Sequence, residues 1–348
     1  MASPKTVKIL SIDGGGVRGY FSGCFLERFI NQWGIGQDKI AENFDIISGT
    51  SVGGMQACAY ANGLTVADSK LFFTEAAPWV FTIRTAADVI SGSINASTPS
   101  NRPNIVEKIA MLAISDPFYK AVDPASNYGD SRLKFELDAA FGITKLNNLK
   151  TAVVIPSFEQ TTYRPVLFSN VNLPDYIGAD FYVKDVVMST SSAPIYFPPS
   201  FIDVGQYMDG GIFQNNPVLF AYQLGKILHP DAKRFCVLSI GTGLGDVGFH
   251  IPDGQPAPSG GIPLLFSLIG TEMVTAQEGN HKLMEYESTL EPNQVFYYRF
   301  QTVLDRNQDT NLDNTDPAFI TYLEQAMNAQ YDQDAFKIAQ FISRLNDE

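Results

Sequence analysis

Phe44-Asp45-Ile46-Ile47-Ser48-Gly49-Thr50-Ser51-Val52-Gly53-Gly54 is an apolar run that stops at a glycine-flanked serine, a G-x-S-x-G pattern. Residues 44–48 suit a strand, and residues 55–60 read as the start of a helix. A sharp strand-to-helix turn would hold Ser51 in a strained backbone conformation, and only small neighbours leave room for it. The serine hydroxyl would then stand at the carboxyl end of a sheet, facing the N–H groups of the following helix. A second apolar run, residues 7–12, leads into Asp13-Gly14-Gly15-Gly16-Val17-Arg18-Gly19. Two strand–glycine–helix turns of this kind can set a nucleophile beside free backbone donors.

Composition bounds the reading. At 348 residues and 45% hydrophobic, the chain has material for one large α/β domain. The net charge of -13 opposes nucleic-acid binding and adsorption to anionic membranes by charge alone. The opening Met1-Ala2-Ser3-Pro4-Lys5 has no apolar signal region, and no apolar stretch is long enough to span a bilayer, so a soluble cytoplasmic protein is expected. Cys24, Cys58 and Cys236 sit in apolar contexts without metal spacing and read as buried free thiols.

Strand and helix patterns alternate along the chain. Helices are expected over 21–31, 131–141, 183–191, 217–228 and 264–286, with two more closing the chain. Strands are expected over 152–155, 163–168, 206–208, 234–240 and 295–301. Such alternation implies a mainly parallel sheet covered on both faces, a three-layer α/β/α sandwich. Residues 78–130 are poorly patterned and fit either a lid or a surface excursion.

Asp209-Gly210-Gly211 follows a short strand and precedes Asn215-Asn216-Pro217 at a helix start. A serine needs a base to take its proton, and an aspartate in a dry pocket has its pKa raised enough to serve. The segments 13–19, 49–54, 209–217 and Leu238-Ser239-Ile240-Gly241-Thr242-Gly243 stand in the order seen in patatin-like phospholipases, which the chain resembles over about residues 7–243. Ala193-Pro194-Ile195-Tyr196-Phe197-Pro198 resembles a further family segment, and residues 264–348 carry a weaker, helical echo. The resemblance implies a single domain over residues 1–348 and a lipid acyl hydrolase of the phospholipase A type. It implies Ser51 as nucleophile, Asp209 as base, and an oxyanion hole from the amides of Gly14, Gly15 and Gly16. No metal or organic cofactor is implied. The partners implied are an acyl lipid, transient membrane contact and, as in some relatives, an activating protein or nucleotide.

Other readings compete. The glycine loop could cradle a phosphate, but no G-K-[ST] follows it. Arg18 could bind a substrate phosphate or simply pair with a carboxylate, and Asp13 reads as fixing the glycine turn. His229, His250 or His281 could complete a Ser–His–Asp triad, yet none lies on a strand-end loop suited to it. A transacylase, or a silent lipid-binding module on the same fold, would carry much of the same sequence. Residues 305–313 resemble a calcium loop, but Thr310 replaces the turn glycine and Asp316 the bidentate glutamate, so a solvated acidic loop is expected. Large apolar residues at 78–81, 195–198 and 262–266 could line a lipid entrance or pack in the core.

Overall fold

The structure is a computed structural model that describes residues 6–82, 128–194, 196–245, 261–305 and 307–347. At its centre lie five parallel strands in the order β3-β2-β1-β8-β9. They are β1 (Thr6–Ile12), β2 (Ile46–Gly49), β3 (Ala152–Glu159), β8 (Arg234–Ile240) and β9 (Val295–Phe300). Alternate residues of these strands feed two separate cores. Ile9, Ile46 and Val237 are neighbours in register and pack with Tyr222 and Leu224 of one helix layer. Leu10, Ile47 and Leu238 point the other way, into a core with Phe21, Phe25 and Ala57. A sheet buried on both faces has no polar side to alternate with, so residues 7–12 carry apolar side chains on both faces, interrupted only by Lys8 and Ser11.

The helices that matter here are α1 (Gly19–Trp33), α2 (Val52–Asn62), α3 (Asp130–Phe141), α4 (Val183–Ser191) and α5 (Val218–Leu228). Three more, α6 (Gly261–Leu290), α7 (Pro317–Gln333) and α8 (Ala335–Asn346), follow. α1 and α2 end at Gly34 and Gly63, with φ of 85° and 95°, where the missing Cβ makes the left-handed cap cheap. Phe300 of β9 stacks on Phe25 of α1 at 4.0 Å between ring centroids, which ties the C-terminal strand to the first helix.

Two expectations need correction. The strand expected over 152–155 runs on to Glu159, because its second half leaves the parallel sheet and pairs antiparallel with β4 (Arg164–Phe168) and β7 (Gly205–Asp209). β7 in turn pairs with β6 (Ser200–Ile202), and β4 with β5 (Tyr176–Ile177). The start of the stretch expected to be poorly patterned is regular: Ala77–Val80 is a helical turn with Pro78 in its first positions, where proline costs no hydrogen bond. Of the candidate lid at 78–130, residues 83–127 lie outside the described residues. Among the described residues, no helix is long and apolar enough to cross a membrane.

Candidate active site

Ser51 sits between β2 and α2 with φ 55° and ψ -127°, a conformation that costs a non-glycine residue of order 1–3 kcal/mol. Its neighbours explain how the turn survives. A Cβ on Gly49 would lie 2.0 Å from the Gly53 carbonyl oxygen, and one on Gly53 would lie 2.4 Å from the Ile12 carbonyl oxygen. The backbone is held from the side by Thr190 at the end of α4, whose hydroxyl accepts from the Ser51 N–H at 3.0 Å and donates to Pro156 O at 2.6 Å. Serine at a helix N-cap ordinarily turns its oxygen onto the first helical amides, yet Ser51 makes no such bond. Its hydroxyl instead shares the pocket with the Asp209 carboxylate, near enough to hold that group's pKa down.

Asp209 is the last residue of β7, and Ser157 of β3 lies opposite it in register. Its own N–H donates to Ser192 O at 3.0 Å, and the next amide, Gly210 N–H, donates to Thr190 O at 3.3 Å. The end of α4 therefore holds both the serine turn and the aspartate. Asp209 Oδ1 also accepts from Gly211 N–H at 2.7 Å. Burial dominates its electrostatics and lifts its pKa from 3.8 to about 7, against the lowering effect of Ser51 and Gly211. A carboxylate with a pKa near 7 is a far better base than one in water.

The glycine loop is anchored on three sides. Gly14 N–H donates to Asn215 O at 3.1 Å, and Gly14 O accepts from Thr242 Oγ1 at 3.0 Å and Asn215 Nδ2 at 3.3 Å. Gly14 is thus not a free donor, which corrects the expectation for it. The amides of Gly15 and Gly16 have no protein acceptor among the described residues, and both glycines line the same pocket as Ser51 and Asp209. Gly16 has φ 56° and would meet Leu312 O at 2.2 Å with a Cβ, while Leu312 O accepts the Val17 N–H at 2.8 Å. Behind the loop, Asp13 and Arg299 form a two-pronged ion pair at 2.7 and 3.2 Å with both side chains buried. Arg299 also donates to Ser239 Oγ at 2.8 Å. Burial nevertheless outweighs the guanidinium and lifts Asp13 to about 6.

The pocket holds about 910 Å³ of empty space, counting its open mouth. Apart from Ser51, Asp209 and the glycine loop its walls are mostly apolar, with Met55, Phe72, Val80, Phe81, Tyr196 and Phe197 prominent. An apolar cleft with a few convergent polar groups is the usual form of a small-molecule site. Patatin-like phospholipase is the family whose pattern matches this chain, over residues 10–222. The chain belongs to the patatin-like phospholipase family. Among patatin-like relatives, Patatin-like protein 1 of Arabidopsis thaliana is 30% identical over 263 residues, covering 68% of this chain and 59% of that protein. Patatin-like protein 2 of Oryza sativa subsp. indica is 32% identical over 256 residues, with 68% and 58% covered. A cGAMP-activated phospholipase of Vibrio cholerae serotype O1 is 31% identical over 219 residues, with 61% and 55% covered. The chain therefore spans just under three fifths of these relatives' own length.

Within this patatin-like frame, the structure brings together Ser51, Asp209, Gly15 and Gly16 and leaves other candidates aside. Arg18 is buried and turns its Nε toward Gly15 O at 3.5 Å, a loop-holding position. His281 packs on Tyr297, its Nδ1 3.1 Å from that hydroxyl, and His229 caps the end of α5; neither lines the pocket. His250 and Ile195 lie outside the described residues. The carboxylates of the acidic loop at 305–316 have protein partners: Asp305 accepts from Asn307 N–H, Asp309 from Asn311 N–H, Asp313 from the Tyr128 hydroxyl, and Asp316 caps α7 through Ala318 N–H. Among the described residues no cluster suited to a metal ion is present. Trp79 packs edge-on against Phe135 at 5.6 Å, whereas Tyr196 and Phe197 are buried and line the pocket. Sequence reasoning missed Thr190, Leu312 and Arg299. Arg299 left a trace, as a lone cation inside an aromatic strand, Val295–Phe300, and Leu312 another, in the Leu312-Asp313-Asn314 segment that resembles the family.

Proposed function

We propose that the protein is a lipid acyl hydrolase that works through a Ser51–Asp209 dyad. The observation that carries the reading is the strained Ser51, whose hydroxyl forgoes its helix cap in the same pocket as Asp209, a buried carboxylate whose pKa is lifted to about 7. As the hydroxyl oxygen attacks the ester carbonyl carbon, its proton passes to Asp209. The carbonyl oxygen becomes an oxyanion, which the amides of Gly15 and Gly16 are free to bind. Preorganised donors of this kind are typically worth about 3–4 kcal/mol each to the barrier. Collapse of the intermediate returns the proton to the leaving alcohol and leaves an acyl group on Ser51. Asp209 then takes a proton from water, and a second tetrahedral intermediate releases the fatty acid.

The apolar walls favour an acyl lipid over a short polar ester, and phospholipids fit the family. A silent binding module would gain nothing from a strained serine, because replacing it with glycine would relieve the turn. Among the described residues, no histidine reaches the pocket to complete a triad. The described parts are read as one domain, since strands from residues 6 to 300 share one sheet and α7 and α8 pack into its core. The test is incubation with defined phospholipids and identification of products by mass spectrometry. Free fatty acid and lysolipid from the unmodified protein, with neither from Ser51→Ala, are expected. Equal release by both proteins would refute the dyad.

A further inference from the structure

A second pocket lies beside the catalytic one, with about 1060 Å³ of empty space counting its open mouth. Three elements run from one pocket into the other. On α2, Val52 lines the first, Ala59 the second and Met55 both. On α3, Leu133 lines the first, and Leu137 and Phe141, one and two turns further on, line the second. In the segment after α2, Val80 and Phe81 face the first, Ala76 the second and Phe72 both. Met55 and Phe72 are therefore the partition.

The wall itself has an unusual backbone. Phe72–Ala76 is a π-helical turn in which Ala77 N–H bonds back five residues to Phe72 O. An inserted turn of this type is uncommon and recurs at functional sites, since it shifts the phase of the side chains that follow. The two ends of the second pocket differ in character. Its floor carries Ala59, Leu64, Leu137 and Phe141, while Asp68, Glu75 and Glu136 are among its polar lining. Asp68 and Glu75 are exposed, which places negative charge at the mouth. Carboxylates there disfavour a phosphate or a fatty-acid head group, so an entering molecule meets the floor with an apolar end.

We propose that the second pocket receives the methyl-terminal half of the acyl chain whose ester carbonyl sits at Ser51, passing between Met55 and Phe72. The inference rests on the acyl-hydrolase reading of the first pocket. The path has the right scale. Eight residues of helix separate Ser51 from Ala59, about 12 Å at 1.5 Å per residue. A short acyl chain is accommodated by the first pocket alone, and a long one must cross the partition. Met55 and Phe72 then set the chain-length preference.

Two measurements test this, one of them independent of turnover. In Ser51→Ala protein, a palmitoyl ester carrying a diazirine near its methyl end is photolysed and the adducts are mapped. Adducts within 64–76 or 137–141 are expected. Adducts confined to 80–81 and 196–197 would overturn the proposal, whether or not the protein hydrolyses lipids. In the active protein, the ratio of kcat/KM for palmitoyl over octanoyl esters is compared among variants. Ala140→Trp adds bulk at the rim of the second pocket and is expected to lower the ratio about tenfold, the worth of roughly two buried methylenes. Phe72→Ala widens the partition and is expected to raise it. An unchanged ratio in both variants would overturn the proposal, whereas loss of hydrolysis with adducts still at 64–76 would leave it standing and sink the catalytic reading instead.

Discussion

Replacing Asp209 with asparagine is expected to destroy activity and to stabilise the fold, by an amount that grows from about pH 4 and is complete above about pH 7. The carboxyl is buried, and burial lifts its pKa from 3.8 to about 7. Below pH 3.8 the group is protonated in folded and unfolded chains alike. Between 3.8 and about 7 the folded chain keeps a proton that the unfolded chain releases. Above about 7 both are ionised, and the folded state carries the whole cost of the buried charge. At 1.36 kcal/mol per pH unit that cost is about 4 kcal/mol. Asparagine has nearly the same shape and can still accept from Gly211 N–H, so it escapes most of the cost. Urea unfolding of both proteins at pH 5 and pH 8.5 is the assay. The variant is expected to gain roughly 2–4 kcal/mol over the unmodified protein at pH 8.5 and much less at pH 5. Asp13, lifted to about 6, titrates in an overlapping window but is present in both proteins and cancels in the difference. The same ionisation governs catalysis: kcat/KM should rise about tenfold per pH unit up to about 7 and then level off. A variant less stable at pH 8.5 than its parent, or a rate that is flat from pH 5 to 8, would refute the reasoning.

Three further outcomes follow from the site. Arg299→Met leaves Asp13 buried without its cation and should cost about 3–5 kcal/mol, much of it recovered in the double variant Asp13→Asn/Arg299→Met; thermal unfolding of the single and double variants reads this. Thr190→Val keeps the shape but strips a partner from Ser51 N–H and from Pro156 O, and should lower both stability, by about 1–3 kcal/mol, and kcat, measured on a soluble ester. His281→Ala should change kcat/KM less than about threefold on that ester, since the ring touches Tyr297 and Glu285 rather than the pocket; a loss approaching that of Ser51→Ala would restore a triad.

Local signals carried much of the fold and the centre of the site. Apolar runs that stop at glycine mark β1 and β2, because a sheet buried on both faces needs the first and a crowded turn needs the second. The glycine turns also single out Ser51 and Asp209 in the sequence as candidates. What escaped was whatever depends on chain segments far apart. Thr190 looks like an ordinary residue at a helix end, and its role exists only because α4 ends where β2 and β7 meet. Leu312 and Arg299 support the glycine loop from nearly three hundred residues away, and no spacing rule links them to it. Three consecutive glycines look alike in sequence, and only the fold shows that Asn215 O takes the first amide. The second half of β3 was missed because it changes partners midway, and pairing leaves no mark on a single strand.

Covalent labelling with a fluorophosphonate is the most direct test of the dyad. The reagent phosphonylates a serine hydroxyl only where a base and an oxyanion site assist it. Peptide mapping should find a single adduct on Ser51 in the unmodified protein, and labelling of Asp209→Ala should be slower by at least about a hundredfold. Absence of an adduct on Ser51 in protein that releases fatty acid from phospholipid, or equal labelling of the two proteins, would contradict the account.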